Sequence, residues 1–205
     1  ISGWGTSVTH AGPSNLTYGH DNMIWGSVGY SGFKGQVNGA QYQIGQGFYR
    51  FRPDVSHFEY MTRTTNNTWG LGFTEDFQVF GSTANNTHSV FMAIPDRYYE
   101  GVKGMPRFGS KKIDGHYAFH PITDKVRLVD VFGGFTAAAG FNLYTARTYP
   151  EEYWNKVGFV CAPTGRLVHK AIISPEGAGY TEKDGWNIVA SNDNWFGPVD
   201  AEVGP

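Results

Sequence analysis

Polar side chains suited to binding a ligand or moving a proton occur in three short loops, each just before a predicted β-strand. The first loop holds His10, the second holds Asn66 and Asn67, and the third holds Asp193 and Asn194. An imidazole has a reference pKa of about 6.5, so His10 is suited to take a proton from a substrate near neutral pH. Asn and Asp also stabilise tight turns, and that is the structural alternative for the other four residues.

The first two of these loops precede two copies of one repeated segment. Leu16–Ser27 returns later in the chain as Leu71–Ser82. In each copy an alternating apolar run is followed by an acidic residue, Asp21 or Asp76, and then by a second apolar run. This pattern predicts a strand, a tight turn and a second strand. A third copy is predicted to begin at Ala201.

Repeated hairpins with Gly-rich turns predict an all-β fold of the β-propeller type, in which each blade packs against its neighbours around a central axis. At roughly 40 to 50 residues per blade, the chain is expected to be a partial propeller of about three blades and a fragment of a longer chain. The predicted blades are residues 10–62, 66–132 and 136–192, with the next blade starting within 196–205. Loops that precede the innermost strands then converge on the axis.

The composition agrees with an all-β fold. The 205 residues include 28 Gly and 10 Pro, and 16% are aromatic but only 17% are charged. This mixture is typical of strands and turns rather than helices. The formal net charge is -2 and no basic run is present, so nucleic acid is not an expected partner. No apolar run has the length of a membrane span, and we expect none in this chain.

Cysteine and histidine spacing gives no metal signature. Cys161 is the single cysteine, and we expect a buried, unreactive thiol. The chain lacks the paired Cys or His spacing typical of structural zinc and the Cys-x-x-Cys-His motif of haem attachment. We therefore expect any zinc or haem to lie outside this sequence.

The order and spacing of several motifs resemble those of the soluble PQQ-dependent glucose and aldose sugar dehydrogenases, which are six-bladed propellers. The matching segments are His10–Trp25, Gly47–Phe51, Asn67–Phe73, Ala139–Val160, Gly165–Leu167 and Asp200–Pro205.

Closer still in wording are bacterial proteins named membrane-bound dehydrogenase domain, which are often fused to a haem c domain. Asn66–Phe73 and Tyr144–Pro150 carry that similarity. The two resemblances together cover nearly the whole chain.

The resemblance implies a site. His10 matches the catalytic base, which takes the proton of the sugar C1 hydroxyl while hydride passes to C5 of the quinone. Asn67 matches the Asn beside PQQ, and the family also implies Ca²⁺, whose ligands we leave unassigned. Where the family has Arg before that Asn, this chain has Asn66. The candidates to replace the missing cation are Arg63, Arg147, and Lys111 with Lys112. The predicted cofactor- or substrate-binding residues are Asn66, Asn67, Trp69, Asp193, Asn194 and Arg147.

Two functions remain open at this point. In the first, the protein belongs to a periplasmic or otherwise extracytoplasmic dehydrogenase that oxidises sugars or other alcohols and passes electrons to a quinone or to a haem c domain elsewhere. In the second, the propeller is non-catalytic and binds a carbohydrate or a protein partner. Aromatic side chains would then stack on sugar rings, although the same side chains also suit packing within blades. The aromatic candidates are Trp25, Trp69, Trp195 and Phe196.

Overall fold

The computed structural model describes residues 1–126 and 133–204, and this part of the chain is all-β. Its framework is three antiparallel four-stranded sheets, each built mainly from strands that follow one another in the chain. Two short 3-10 helices, Asp96–Tyr99 and Glu151–Tyr153, lie between strands. Among the described residues, no helix is long and apolar enough to cross a membrane.

The first sheet has the order β1-β2-β5-β6 and carries an inserted hairpin, β3-β4. Its strands are β1 (Pro13–Tyr18), β2 (Ile24–Val28), β3 (Phe33–Val37), β4 (Ala40–Ile44), β5 (Gly47–Phe51) and β6 (Phe58–Arg63). The hairpin covers the sheet through Phe33 and Val37, which pack with Tyr49 and Phe58.

The second sheet is a simple meander in chain order. Its strands are β7 (Thr68–Phe73), β8 (Val79–Thr83), β9 (Val90–Met92) and β10 (Lys111–Lys112). The stretch 83–112 reads in the sequence as one long polar excursion from the blade. The structure instead places two strands of the sheet, β9 and β10, within it. Strands of two or three residues are too short to show a periodic pattern in the sequence.

The third sheet is also a meander. Its strands are β11 (Ala139–Leu143), β12 (Val157–Ala162), β13 (Leu167–Glu176) and β14 (Gly179–Ala190). The described residues 191–204 form no strand, and Pro205 lies outside the described residues. The predicted end of the second blade, at residue 132, also lies outside them.

Both copies of the repeated segment form hairpins, as predicted. Copy one is β1-β2 and copy two is β7-β8. The acid in the first turn has a clear role, because the Asp21 carboxylate accepts bonds from the backbone N–H of Met23 and from Trp25 Nε1 and pairs with Arg50. These contacts hold the large buried indole of Trp25 in the core between the first and second sheets.

The sheets lie side by side through their first strands, β1, β7 and β11, which are edge strands; β7 lies between the other two and contacts both. The approach of β7 to β11 is close at Gly70, where an added Cβ would lie 2.5 Å from the backbone nitrogen of Phe141. The core between these sheets is rich in aromatic rings, including Phe80, Phe135 and Phe141. This is the arrangement of successive propeller blades.

Cys161 lies in β12 and is fully buried. Burial raises the pKa of its thiol to about 12, which matches the predicted unreactive side chain.

Candidate functional site

The loops that lead into β1, β7 and β11 surround a cavity of about 650 Å³. Because the three strands start at the same end of their sheets, the residues just before them meet there. Three kinds of side chain form most of the wall: aromatic rings, amides and hydroxyls, and two basic groups. They are Tyr30, Trp69, Trp195 and Phe196; Asn66, Asn67, Asn85, Asn194, Thr136 and Thr164; and His10 and Arg166.

His10 brings an exposed imidazole to the wall of this cavity. Its Nε2 lies 3.4 Å from the hydroxyl oxygen of Tyr30, and its ring meets that of Trp69 edge to face at 6.2 Å. The backbone carbonyl of His10 accepts bonds from Asn67 Nδ2 at 3.0 Å and Trp69 Nε1 at 2.6 Å. The loop is therefore tied to the second blade while the imidazole stays accessible.

Asn67 is a positioning residue in this arrangement. Its side chain is buried, and its Oδ1 accepts the backbone N–H of Tyr30 at 3.2 Å while its Nδ2 donates to His10. Gly29 makes room for it, since a Cβ at that position would collide with Asn67 Oδ1. Both ends of the amide thus join the first and second blades.

Asn66 and Trp69 complete the side formed by the second blade. Asn66 Oδ1 accepts the backbone N–H of Asn67 at 2.7 Å, which fixes the turn before β7. The Trp69 carbonyl accepts Asn15 Nδ2 at 2.8 Å, which adds another link to the first blade. Hydrogen bonds therefore hold both the backbone carbonyl and the indole Nε1 of Trp69, and its indole ring lines the cavity.

The third blade contributes Arg166 and Asn194, whose side chains bond at 2.5 Å. Asp193 precedes Asn194 in the chain but does not line the cavity. Its Oδ1 accepts the backbone N–H of Trp195, which stabilises a turn. Trp195 itself is 93% exposed. Sequence reasoning overlooked Arg166, although it lies in one of the motifs that carry the resemblance.

Two of the predicted residues lie away from this cavity. Arg147 follows β11 and is thus at the other end of the inner strands, where its guanidinium bonds both oxygens of Glu75 at 2.8 Å and lies over the ring of Trp154. Trp25 is 1% exposed and belongs to the core, so of its two predicted roles the structure supports blade packing.

The charge of the cavity wall limits what it can hold. Among the described residues no Asp or Glu lines it, and Arg166 is the single permanent cation. PQQ is a tricarboxylate, and buried carboxylates without partners are costly. Arg63 and Arg107 line a separate cavity of about 780 Å³ that shares Tyr30, but Asp96 lies with them there. The residues present therefore do not fit PQQ, and the wall lacks the carboxylates that Ca²⁺ prefers.

A second group of polar residues, buried between the second and third sheets, was also missed. It consists of His88, His116, His169 and Glu182. These residues are far apart in the sequence, and no spacing rule for metal sites brings them together. Only the packing of the two sheets makes them neighbours.

Comparison with known proteins links this chain to one family. No curated protein and no solved structure matches the sequence. One family does match, over residues 1–205, and its description is domain of unknown function (DUF7133). Because that match covers the whole chain, the protein belongs to the DUF7133 family.

Proposed function

We propose that this protein binds a carbohydrate or a related polyhydroxylated compound in the cavity at the start of β1, β7 and β11. The observation that carries the proposal is the wall itself: aromatic rings stand beside amide and hydroxyl groups, with no described carboxylate among them. Sugar rings offer apolar faces to aromatic side chains and hydroxyl groups to amides. A cavity of about 650 Å³ has the volume of an ordinary small-molecule site.

The charge of the wall narrows the class of ligand. Among the described residues Arg166 bonds Asn194 and no carboxylate, so a single anionic group on the ligand would find one guanidinium. A neutral or singly acidic sugar suits this wall better than a ligand with several carboxylates. His10 and Tyr30 add hydrogen-bonding groups at one side.

The test is a binding titration of the purified protein against neutral and acidic saccharides, followed by calorimetry and by tryptophan fluorescence. Trp69→Ala should weaken binding by about tenfold or more, because stacking area on the sugar is lost. Trp154→Ala is the matched control, since Trp154 lies at the other end of the third sheet with Arg147. The proposal fails if no saccharide binds, or if the two variants lose affinity equally.

Oxidation of a bound sugar or alcohol is a second candidate, supported by His10 alone. Its exposed imidazole lies in the cavity wall, where a general base would accept the proton of a ligand hydroxyl. Such an enzyme also needs a hydride acceptor, and the poor fit of the wall to PQQ is the reason that binding is our first proposal. The expected haem c partner and extracytoplasmic location depend on this second candidate.

An assay with aldoses and an artificial electron acceptor, with and without added PQQ and Ca²⁺, separates the two functions. Turnover that disappears in His10→Ala would support oxidation. Saccharide binding without turnover under every condition would support the binding protein.

A further inference from the structure

Four potential metal ligands from two neighbouring sheets meet at one point. His88 lies just before β9, His116 follows β10, His169 is on β13 and Glu182 is on β14. One ligand atom from each lies within 4.8 Å of all the others. All three imidazoles lie next to the Glu182 carboxylate. Its Oε1 is 3.2 Å from His169 Nε2 and 3.3 Å from His116 Nε2, and its Oε2 is 3.6 Å from His88 Nε2.

These separations are those of a coordination shell. Ligand atoms placed tetrahedrally at about 2.0 to 2.2 Å from Zn²⁺ lie about 3.3 to 3.6 Å from one another. The three distances between the Glu182 carboxylate and the imidazole nitrogens fall close to that range. Since all the ligand atoms lie within 4.8 Å of one another, a small side-chain adjustment would bring the more widely separated imidazole nitrogens to the same spacing.

The other nitrogen of each imidazole faces an oxygen. His116 Nδ1 lies 2.9 Å from the carbonyl oxygen of Ala118, His88 Nδ1 lies 3.6 Å from Asp114 Oδ2, and His169 Nδ1 lies 3.9 Å from Asp184 Oδ1. Of these three contacts, that of His116 has the length of a hydrogen bond, and a small shift on metal binding would let the oxygens beside His88 and His169 accept a proton as well. Protein metal sites use this arrangement, because an oxygen that accepts the Nδ1 proton leaves the Nε2 lone pair free for the metal. All three Nε2 atoms face the Glu182 carboxylate.

The cluster is buried and its hydrogen bonds are incomplete. His88 and His169 are 1% and 0% exposed, and Glu182 is 4% exposed. Both ring nitrogens of His88 and the Oε2 atom of Glu182 lack a hydrogen-bond partner among the described residues. Buried polar atoms nearly always have a hydrogen-bond partner. Several neighbouring ones without a partner therefore indicate that another group binds between them.

The surroundings favour a rigid and largely dry site. The ring of Phe135 stacks on His88 with centroids 4.1 Å apart and also meets His169 at 5.3 Å. The backbones of the two sheets join at the same place, where Asp114 and Glu182 form a parallel bridge. Only the side chain of His116 is partly exposed, at 20%, which gives an ion a way in.

We propose that His88, His116, His169 and Glu182 bind one divalent transition-metal ion, Zn²⁺ in the first instance, in a structural site that fastens the second sheet to the third. Three imidazoles and one carboxylate are ligands that Zn²⁺ accepts, whereas Ca²⁺ and Mg²⁺ prefer oxygen alone. Four protein ligands close a tetrahedral shell, which is typical of structural rather than catalytic zinc. This site is independent of the function proposed for the cavity.

The first test measures metal in the protein as purified and after removal with a chelator. We expect about one equivalent of metal per chain, retained through dialysis, and a chelated form whose melting temperature rises by about 5 to 10 °C when Zn²⁺ is restored at roughly one hundred times its Kd. Co²⁺ titrated into the chelated protein should give the intense visible absorption of a four-coordinate ion.

Variants assign the ligands. His116→Ala removes the most accessible ligand, and Glu182→Gln keeps the size of the side chain while removing its charge. Each should lose the equivalent of metal and the response of the melting temperature to Zn²⁺. His57→Ala is the matched control, because His57 is an exposed histidine just before β6 in the first sheet, and its replacement should leave both unchanged.

Asp114→Asn tests the oxygen that faces His88 Nδ1 and should lower the affinity for Zn²⁺ by about 10- to 100-fold. Co²⁺ absorption reports coordination even where a variant is less stable. The proposal is overturned if the parent holds no metal and neither Zn²⁺ nor Co²⁺ changes its melting temperature or spectrum, or if His116→Ala and Glu182→Gln bind Zn²⁺ as the parent does.

Discussion

The side chain of Asn67 shows how a single residue builds the proposed binding cavity. It joins Tyr30 of the first blade to the carbonyl of His10 while it belongs to the loop before β7. The sequence singled out Asn67 as a binding residue, and the structure places it at the wall of this cavity. What it could not show is that both ends of the amide are used by the protein, which makes Asn67 a support for the cavity wall.

Asn67→Ala should lower the free energy of unfolding by about 2 kcal/mol, because it leaves a backbone donor and an acceptor unpaired in a buried place. Urea unfolding measures this change. Gln41→Ala, at an exposed position of β4, is the control and should change stability much less. Equal stability of Asn67→Ala and the parent would show that the two hydrogen bonds contribute nothing.

The residues at the site differ in how far the sequence could predict them. His10, Asn66, Asn67, Trp69, Asp193 and Asn194 were chosen by their position at a predicted strand start, and all but Asp193 line one cavity. For the first two loops the rule works because β1 and β7 begin at one end of neighbouring sheets. Asn194 lies at the same cavity although the described residues 191–204 form no strand. Arg147 was chosen because a cation was needed and because it lies in a segment that carries the resemblance, and the chain places it at the opposite end. Charge demand alone therefore does not locate a residue.

The hairpin of β7 and β8 shows how a single element determines the contact between two sheets. Its glycines were visible in the sequence as part of the repeat, but their purpose depends on a strand that is distant in the chain. Gly70 faces the backbone of β11 near Phe141 and the side chain of Ser82. The missing side chain lets two inner strands approach, so the repeat encodes contact between blades as well as the turn.

Gly70→Ala should destabilise the protein by about 1 to 3 kcal/mol, because the added methyl group would meet the β11 backbone 2.5 Å away. Chemical denaturation of the variant checks this. Gly45→Ala is the matched control, since no atom lies within 4 Å of the position of its Cβ. If both variants unfold at the same denaturant concentration, the close approach of β7 and β11 is not as described.

A charged network ties β5 to β6 and to the 3-10 helix that follows β9. Glu59 accepts from Arg50 and from Arg97, each at 2.6 Å, and His57 lies 3.8 Å from its carboxylate. Burial raises the pKa of Glu59, but the hydrogen bonds from the two arginines outweigh it and hold the pKa below its usual value.

A lowered pKa means that Glu59 stabilises the folded protein above the pKa of an unfolded glutamate, about 4.3, and that this stabilisation disappears as the pH falls through the folded value. Glu59→Gln should therefore be less stable than the parent at neutral pH, and the difference should shrink below a pH of about 4. Thermal melts across this pH range measure it. Glu151→Gln, at an exposed acid, should show no such convergence. A difference that stays constant with pH would contradict the role of the network.

At the scale of the whole molecule, the repeat and the turn-rich composition were enough to predict an all-β fold built from blade-like sheets. The short strands β9 and β10 were not predictable, because two or three residues carry no periodic signal. The histidine cluster was not predictable for a different reason. Its members come from separate hairpins, and their meeting depends on how the second and third sheets pack.

The cavity and the histidine cluster are linked by adjacent residues. Phe135 stacks on His88, and its neighbour Thr136 lines the cavity and donates to Asn85 Oδ1 at 3.0 Å. The junction of the second and third blades thus supports one side of the cavity wall.

Hydrogen exchange measured by mass spectrometry, with and without a saturating saccharide found in the binding screen, tests the central claim most directly. We predict slower exchange in the segments 10–12, 66–69 and 194–197, which come together only at the start of the inner strands, and no change in 145–154 at their far end. Protection confined to 145–154, or spread evenly over the chain, would contradict a binding site in the cavity.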